Sequence, residues 1–220
     1  MPYKWTMFIG HYGAAMAAKK LAPKASLGAL IMAAQFIDLI WPPLLLLGIE
    51  KARITPGITE FTPLDFYFYP YSHSLLMTFI WACAFGGIYF AIRKNTVETL
   101  VLCALVMSHW ALDFLVHRPD LPLAPGVDIF YGLGLWNSVA GTLAVELSMF
   151  LAGAYLYYSS VKPLGKSRAI GFFTVIVLFL AIYVGNLASI PPSMEMVGAS
   201  GLLLWLFVAW GFWVDKNTAR

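Results

Sequence analysis

The sequence predicts an all-α fold: a polytopic bundle of about six or seven transmembrane helices forming one integral membrane domain over residues 1–220. Three observations predict it. The chain is 60% hydrophobic and only 11% charged, far below the roughly 25% charged residues of soluble domains. Its mean hydropathy is +0.77. The apolar residues also fall in long blocks, several reaching the roughly 20 residues that a helix needs to cross the hydrocarbon core.

Spans are expected at about residues 5–19, 26–48, 72–92, 97–117, 136–159, 169–187 and 196–214. The first is short and interrupted by His11, which suits a segment that is tilted, half-inserted or packed inside the bundle. The N-terminal stretch has its lysines after the apolar run, so it reads as part of the mature fold rather than a cleaved signal. Cys83 and Cys103 each lie inside a span and read as small buried hydrophobes. A net charge of +3 gives no reason to expect nucleic acid as a partner.

The basic residues set an expected orientation. Lys19, Lys20, Lys24, Arg93, Lys94, Lys162, Lys166, Arg168, Lys216 and Arg220 fall on one side, and Lys4, Lys51, Arg53 and Arg118 on the other. The positive-inside rule places the first group, and the C-terminus, in the cytoplasm. The two long connections, about 49–71 and 118–135, are then exterior. The first carries Phe66, Tyr67, Phe68, Tyr69 and Pro70, expected to anchor at the interface. The second has three prolines and is expected to cap the fourth span.

Ionisable residues at membrane depth are costly and mark functional sites. Here they are His11, Asp38, His73, His109, Asp113, His117 and Glu146, a set that contains every histidine of the protein. The segment SHWALDFLVH places His109, Asp113 and His117 at four-residue intervals on one helical face. Asp113 can share an ion with either histidine, but His109 and His117 are about 12 Å apart along the axis, too far to bind one metal together. One metal, or two bridged by Asp113, is therefore expected. His73 opens the third span on the side where His117 ends the fourth. Pro42 lies four residues after Asp38 and cannot donate to its carbonyl, which predicts a kink just beyond the carboxylate. Small neighbours around His11 would let the first segment pack against the site. A hydrogen-bonded structural pair is the alternative reading of His11 and Asp38. Ser72 and Ser74 flank His73 and could orient it, whereas Asn137 and Glu146 read as outer-shell or interhelical hydrogen-bonding groups.

At Gly10-His11, Asp38, Ser72-His73-Ser74 and His109 with Asp113, the chain resembles the bacterial membrane-bound metal-dependent hydrolases, the YdjM-type inner-membrane proteins. The likeness runs through residue 117, and QFIDLIWPP, YPYS and His117 depart from the family pattern. It implies a metal-dependent hydrolase of the bacterial inner membrane. His73, His109 and Asp113 are the leading metal ligands, with His117 next and His11 and Asp38 as ligands or general acid/base groups. Histidine-rich ligation favours one or two zinc or other transition ions over magnesium. The membrane setting points to an ester or phosphoester of a lipid or lipid-linked substrate. A cation or proton-coupled transporter using the same cluster, and a structural membrane protein tied together by it, are the rival readings.

Overall fold

The computed structural model describes residues 9–161, 165–186 and 191–215. Its helices are α1 (Gly10–Ala18), α2 (Leu27–Ala34), α3 (Phe36–Leu46), α4 (Pro70–His73), α5 (Leu75–Arg93), α6 (Thr96–Val116), α7 (Val139–Ser160), α8 (Lys166–Asn186), α9 (Met194–Gly201) and α10 (Leu204–Asp215). Two small antiparallel ladders pair β1 (Lys51–Ile54) with β2 (Leu64–Phe68), and β3 (Leu121–Pro122) with β4 (Phe130–Tyr131). The protein is an all-α integral membrane bundle: α5, α6, α7, α8 and the α9–α10 pair are each long and apolar enough to cross a membrane. The α2–α3 pair, bent by 56°, has the length and apolarity of a broken sixth span or a re-entrant loop.

Polar caps set where these helices begin. Ser26, Ser74, Asn95 and Ser138 each accept a hydrogen bond from the backbone N–H three residues on, satisfying a donor that the first turn would otherwise leave unpaired. Ser74 therefore caps α5 and makes no hydrogen bond to His73.

Residues 5–8 of the predicted first span lie outside the described residues. The remainder, α1, rises only about 14 Å, half the hydrocarbon thickness or less. It is buried against α2, α6 and α7, as expected of a short segment packed inside the bundle. The proline kink expected beyond Asp38, in contrast, is not where the α2–α3 pair bends. Pro42 and Pro43 lie within α3, and the bend falls earlier, at Gln35 between α2 and α3. Glycines on α9 accommodate the proline face. Added side-chain carbons would lie 2.5 Å from Pro42 at Gly201 and 2.8 Å from Leu46 at Gly198.

Glycine also permits the closest helix crossing. A side-chain carbon at Gly153 of α7 would meet the Gly13 carbonyl of α1, and one at Gly13 would lie 2.6 Å from the carbonyl carbon of Met149. The α1 and α7 backbones are thus in direct contact, which larger residues forbid.

At the end of the bundle remote from the strands, Lys19 is buried and pairs with Asp215 at the end of α10. Lys19 Nζ also donates to the Ala25 carbonyl at 2.7 Å. Asp215 accepts from the Leu27 amide at 2.8 Å and from the Tyr157 hydroxyl at 2.8 Å. The knot joins α1, α2, α7 and α10. Lys19, counted among the basic residues of one side, is thus neutralised inside the bundle. Lys20, Lys24, Arg93, Lys94, Lys166 and Arg168 share its end, while Lys4, Lys162, Lys216 and Arg220 lie outside the described residues.

The FYFYP run divides rather than acting wholly as an interfacial anchor. Tyr67 and Phe68 are exposed, but Phe66 and Tyr69 turn inward and pack on each other, with ring centroids 5.4 Å apart.

Breaking a buried pair leaves an uncompensated charge. Lys19→Met is expected to lower unfolding stability by about 3–5 kcal/mol in detergent, and adding Asp215→Asn should restore part of it. Thermal unfolding of the single and double variants checks this.

Candidate metal centre

Four elements bring the site together: α1 supplies His11, α3 Asp38, α4 His73, and α6 His109 and Asp113. The bend at Gln35 matters because the Ala34 carbonyl beside it accepts a 2.7 Å hydrogen bond from His109 Nδ1. A carbonyl only accepts, so Nδ1 carries the proton and Nε2 of the neutral ring carries a lone pair. His73 is set in the same way. The buried Glu50 carboxylate accepts from the Tyr71 and Ser72 amides at 2.7 and 2.8 Å and from the Ser72 hydroxyl at 2.6 Å. Ser72 has given its only proton to Glu50, so its 2.6 Å contact with His73 Nδ1 requires that nitrogen to donate. Nε2 of His73 is also left with a lone pair.

Both lone pairs point at carboxylates. His73 Nε2 lies 3.4 Å from Asp38 Oδ1 and 3.9 Å from Asp113 Oδ2, and His109 Nε2 lies 3.6 and 3.3 Å from the same two oxygens. These gaps are longer than the roughly 2.7–2.9 Å of an imidazolium–carboxylate hydrogen bond. They approach the tetrahedral edge of about 3.3 Å between donors held about 2.0–2.1 Å from a common centre. His109 Nε2 and Asp113 Oδ2 are buried and make no hydrogen bond. Two groups among the described residues have the spacing to hold an ion: His11, His109 and Asp113, and Asp38, His73 and His109. His109 belongs to both. The two groups therefore share its one inward nitrogen.

His11 adds a different interaction. Its Nε2 lies 3.1 Å from Asp113 Oδ1, and its ring stacks on His109 with centroids 3.8 Å apart. It is thereby placed to steer both residues. Asp38 is the most open member, with its side chain 31% exposed against 6% or less for His73, His109 and Asp113.

His117 is not brought into this group. Helix α6 ends at Val116, and His117 caps it in an extended conformation, breaking the four-residue periodicity that would have put it on the His109 face. Its Nδ1 lies 2.9 Å from Asp120 Oδ1, its ring packs 4.1 Å from Trp136, and Tyr69 donates to the same Asp120 oxygen at 3.1 Å. Burial, then the nearby Asp120 charge, pushes the Tyr69 hydroxyl well above its usual pKa. Arg118 pairs with Asp65 and lies 3.1 Å from Asp120, closing the network. Of the other residues singled out, Ser72 touches His73, but Asn137 is exposed and remote in a 3-10 turn. Glu146 is fully buried on α7, with the Tyr183 side chain and the Ile9 backbone as its polar neighbours.

A cavity of about 530 Å³ reaches this cluster, touching His11, Asp38, His73, Asp113 and His117 before continuing between apolar helices. Sequence reasoning missed Glu50, Tyr69 and Asp120. The HRPD spacing held a signal for Asp120, whereas nothing local ties Glu50 to a serine 22 residues later. No family model, curated protein or solved structure matches the chain.

Glu50→Ala strands two backbone donors and the Ser72 hydroxyl, and should cost on the order of 3 kcal/mol. The exposed Glu60→Ala should stay within about 0.5 kcal/mol. Denaturant unfolding of the two variants checks the contrast.

Proposed function

We propose that the protein is a metal-dependent hydrolase of an ester or phosphoester in a lipid or lipid-linked substrate. The observation that carries this reading is the quartet His73, His109, Asp38 and Asp113: its nitrogen–oxygen gaps are too long for ion-pair hydrogen bonds and close to the edges of a metal's donor shell. The donor set suits zinc or a similar transition ion, and two carboxylates offset a divalent charge in a low-dielectric setting. When bound, the ion supplies a water of lowered pKa and a Lewis acid for the scissile oxygen.

The protein's own groups do the remaining work. Ala34 and the Glu50–Ser72 pair keep the His109 and His73 lone pairs inward, the outer-shell arrangement common to metal-binding histidines. His11 holds Asp113 through its outer oxygen. Asp38, the most open of the four, leaves His73, His109 and Asp113 as the ligands and is positioned towards the cavity to accept a proton from water. His117, held by Asp120, lines the cavity apart from the quartet and is assigned no ligand role. The positive-inside rule supports placing the Lys20, Lys24 and Arg93 end in the cytoplasm of a bacterial inner membrane, with the cluster towards the exterior.

Elemental analysis of the purified protein is expected to find one metal per chain. His109→Ala and Asp113→Asn should each lose it, while His117→Ala should keep it. Metal-free wild type, or metal unchanged in the His109 and Asp113 variants, would overturn the proposal. A metal-loaded protein that hydrolyses no lipid ester but carries cation flux in proteoliposomes would favour transport instead. Ser72→Ala removes the support of His73 together with one of the three donors to Glu50, leaving the ligands themselves in place, and is expected to weaken metal affinity about 10–100-fold, measurable by chelator competition.

A further inference from the structure

The cavity does not end at the polar cluster. From Asp38 and His73 it runs past Trp41 and Pro42 into a largely apolar passage, lined by Val175, Leu178 and Ile182 of α8 and by Leu203, Leu206 and Phe207. The wall carrying Leu203, Leu206 and Phe207 is irregular. Helix α9 stops at Gly201, the chain tightens through Leu202 and Leu203, and α10 resumes at Leu204. Three lining residues beside this break are open on the outer flank of the bundle: Leu178 is 45% exposed, Leu203 57% and Leu206 64%. The same side chains thus line the cavity and reach the outer surface of the bundle.

From this shape we infer that the passage holds the hydrocarbon chain of an amphiphile that enters laterally between α8 and the α9–α10 break, with its polar head at the His/Asp cluster. Chemistry fits the occupant at both ends. The titratable lining groups are His11, Asp38, His73, Asp113 and His117, all at the polar end, and the rest of the lining is hydrocarbon and aromatic apart from the Trp indole N–H groups and the Ser200 hydroxyl, which is already donated to the Val197 carbonyl at 2.9 Å. A soluble ester would leave that apolar surface uncovered, whereas an acyl chain covers it and exchanges with membrane lipid without crossing water. The volume of about 530 Å³ lies within the roughly 300–1,000 Å³ of small-molecule sites and matches one chain better than a packed partner helix. The inference names the substrate class for the site above and rests on the proposed function only in treating the cluster as the reacting end.

The test uses the full-length protein in phosphatidylcholine nanodiscs doped with phosphatidylglycerol bearing a diazirine on one palmitoyl chain. After irradiation, labelled peptides are mapped by mass spectrometry, and metal is measured in the same samples. Labelling is expected on Val175, Leu178, Leu203 and Leu206 above the lipid-facing Val184, which lies outside the cavity. Val175→Trp, which fills the passage, should abolish that excess, and Val184→Trp should not. Leu178→Trp at the opening serves the same purpose if Val175→Trp fails to fold. Labelling spread evenly over outward-facing positions, or unaffected by both plugging variants, overturns the inference. So does cross-linking of one copy to another through this face. A metal-loaded protein with no excess labelling defeats the tail site and leaves the hydrolase reading intact. Excess labelling on a metal-free protein supports the tail site and defeats the hydrolase.

Discussion

Two imidazole lone pairs and two carboxylates facing one another inside an apolar bundle form the constraint on which the rest of this structure depends. No water-rich surface relieves such a cluster, and unpaired polar groups at this depth are expensive. Each imidazole must therefore be held by its far nitrogen. His109 uses the Ala34 carbonyl, and His73 uses Ser72 backed by Glu50. Remove either acceptor and the ring is free to turn over, present an N–H and collapse onto a carboxylate.

That requirement accounts for the irregular parts of the fold. The bend at Gln35 brings the Ala34 carbonyl to α6, and the four-residue helix α4 sets His73 across from Asp38 before α5 begins at its Ser74 cap. Irregular backbone at membrane depth is tolerated where it lines a protein cavity, and the turn between α9 and α10 borders this one. Regular spans, in contrast, form the lipid-facing shell. The Lys19–Asp215 knot ties the opposite end, so α1 is fastened at both ends: by its charge there and by His11 at the cluster.

The proposed chemistry and the proposed tail passage draw on different physics. Metal binding depends on a few atoms held within tenths of an ångström, and the supports of His73 and His109 serve that precision. The passage depends on surface area and an opening, and it tolerates variation as long as it stays apolar and unblocked. Their junction is Asp38, which is both a member of the quartet and its most open side chain.

How much was legible in the sequence follows from the range of each signal. The spans α5 through α8, the α2–α3 segment and the α9–α10 segment were readable because burial in lipid demands some 20 apolar residues in a row, a property of contiguous chain. His109 and Asp113 could be paired because one helical turn brings them together. The same periodicity misled at His117, where the helix ends one residue earlier, and the proline rule misplaced the bend, since a proline can be housed where α9 presents glycines. Glu50 behind Ser72, Ala34 behind His109, the union of His11 with Asp113 across 102 residues, and the passage beside α8 were decided only by tertiary structure. Each depends on where separate helices cross. Sequence determines which residues a membrane will bury; the packing of one helix on another decides which of the buried polar groups meet.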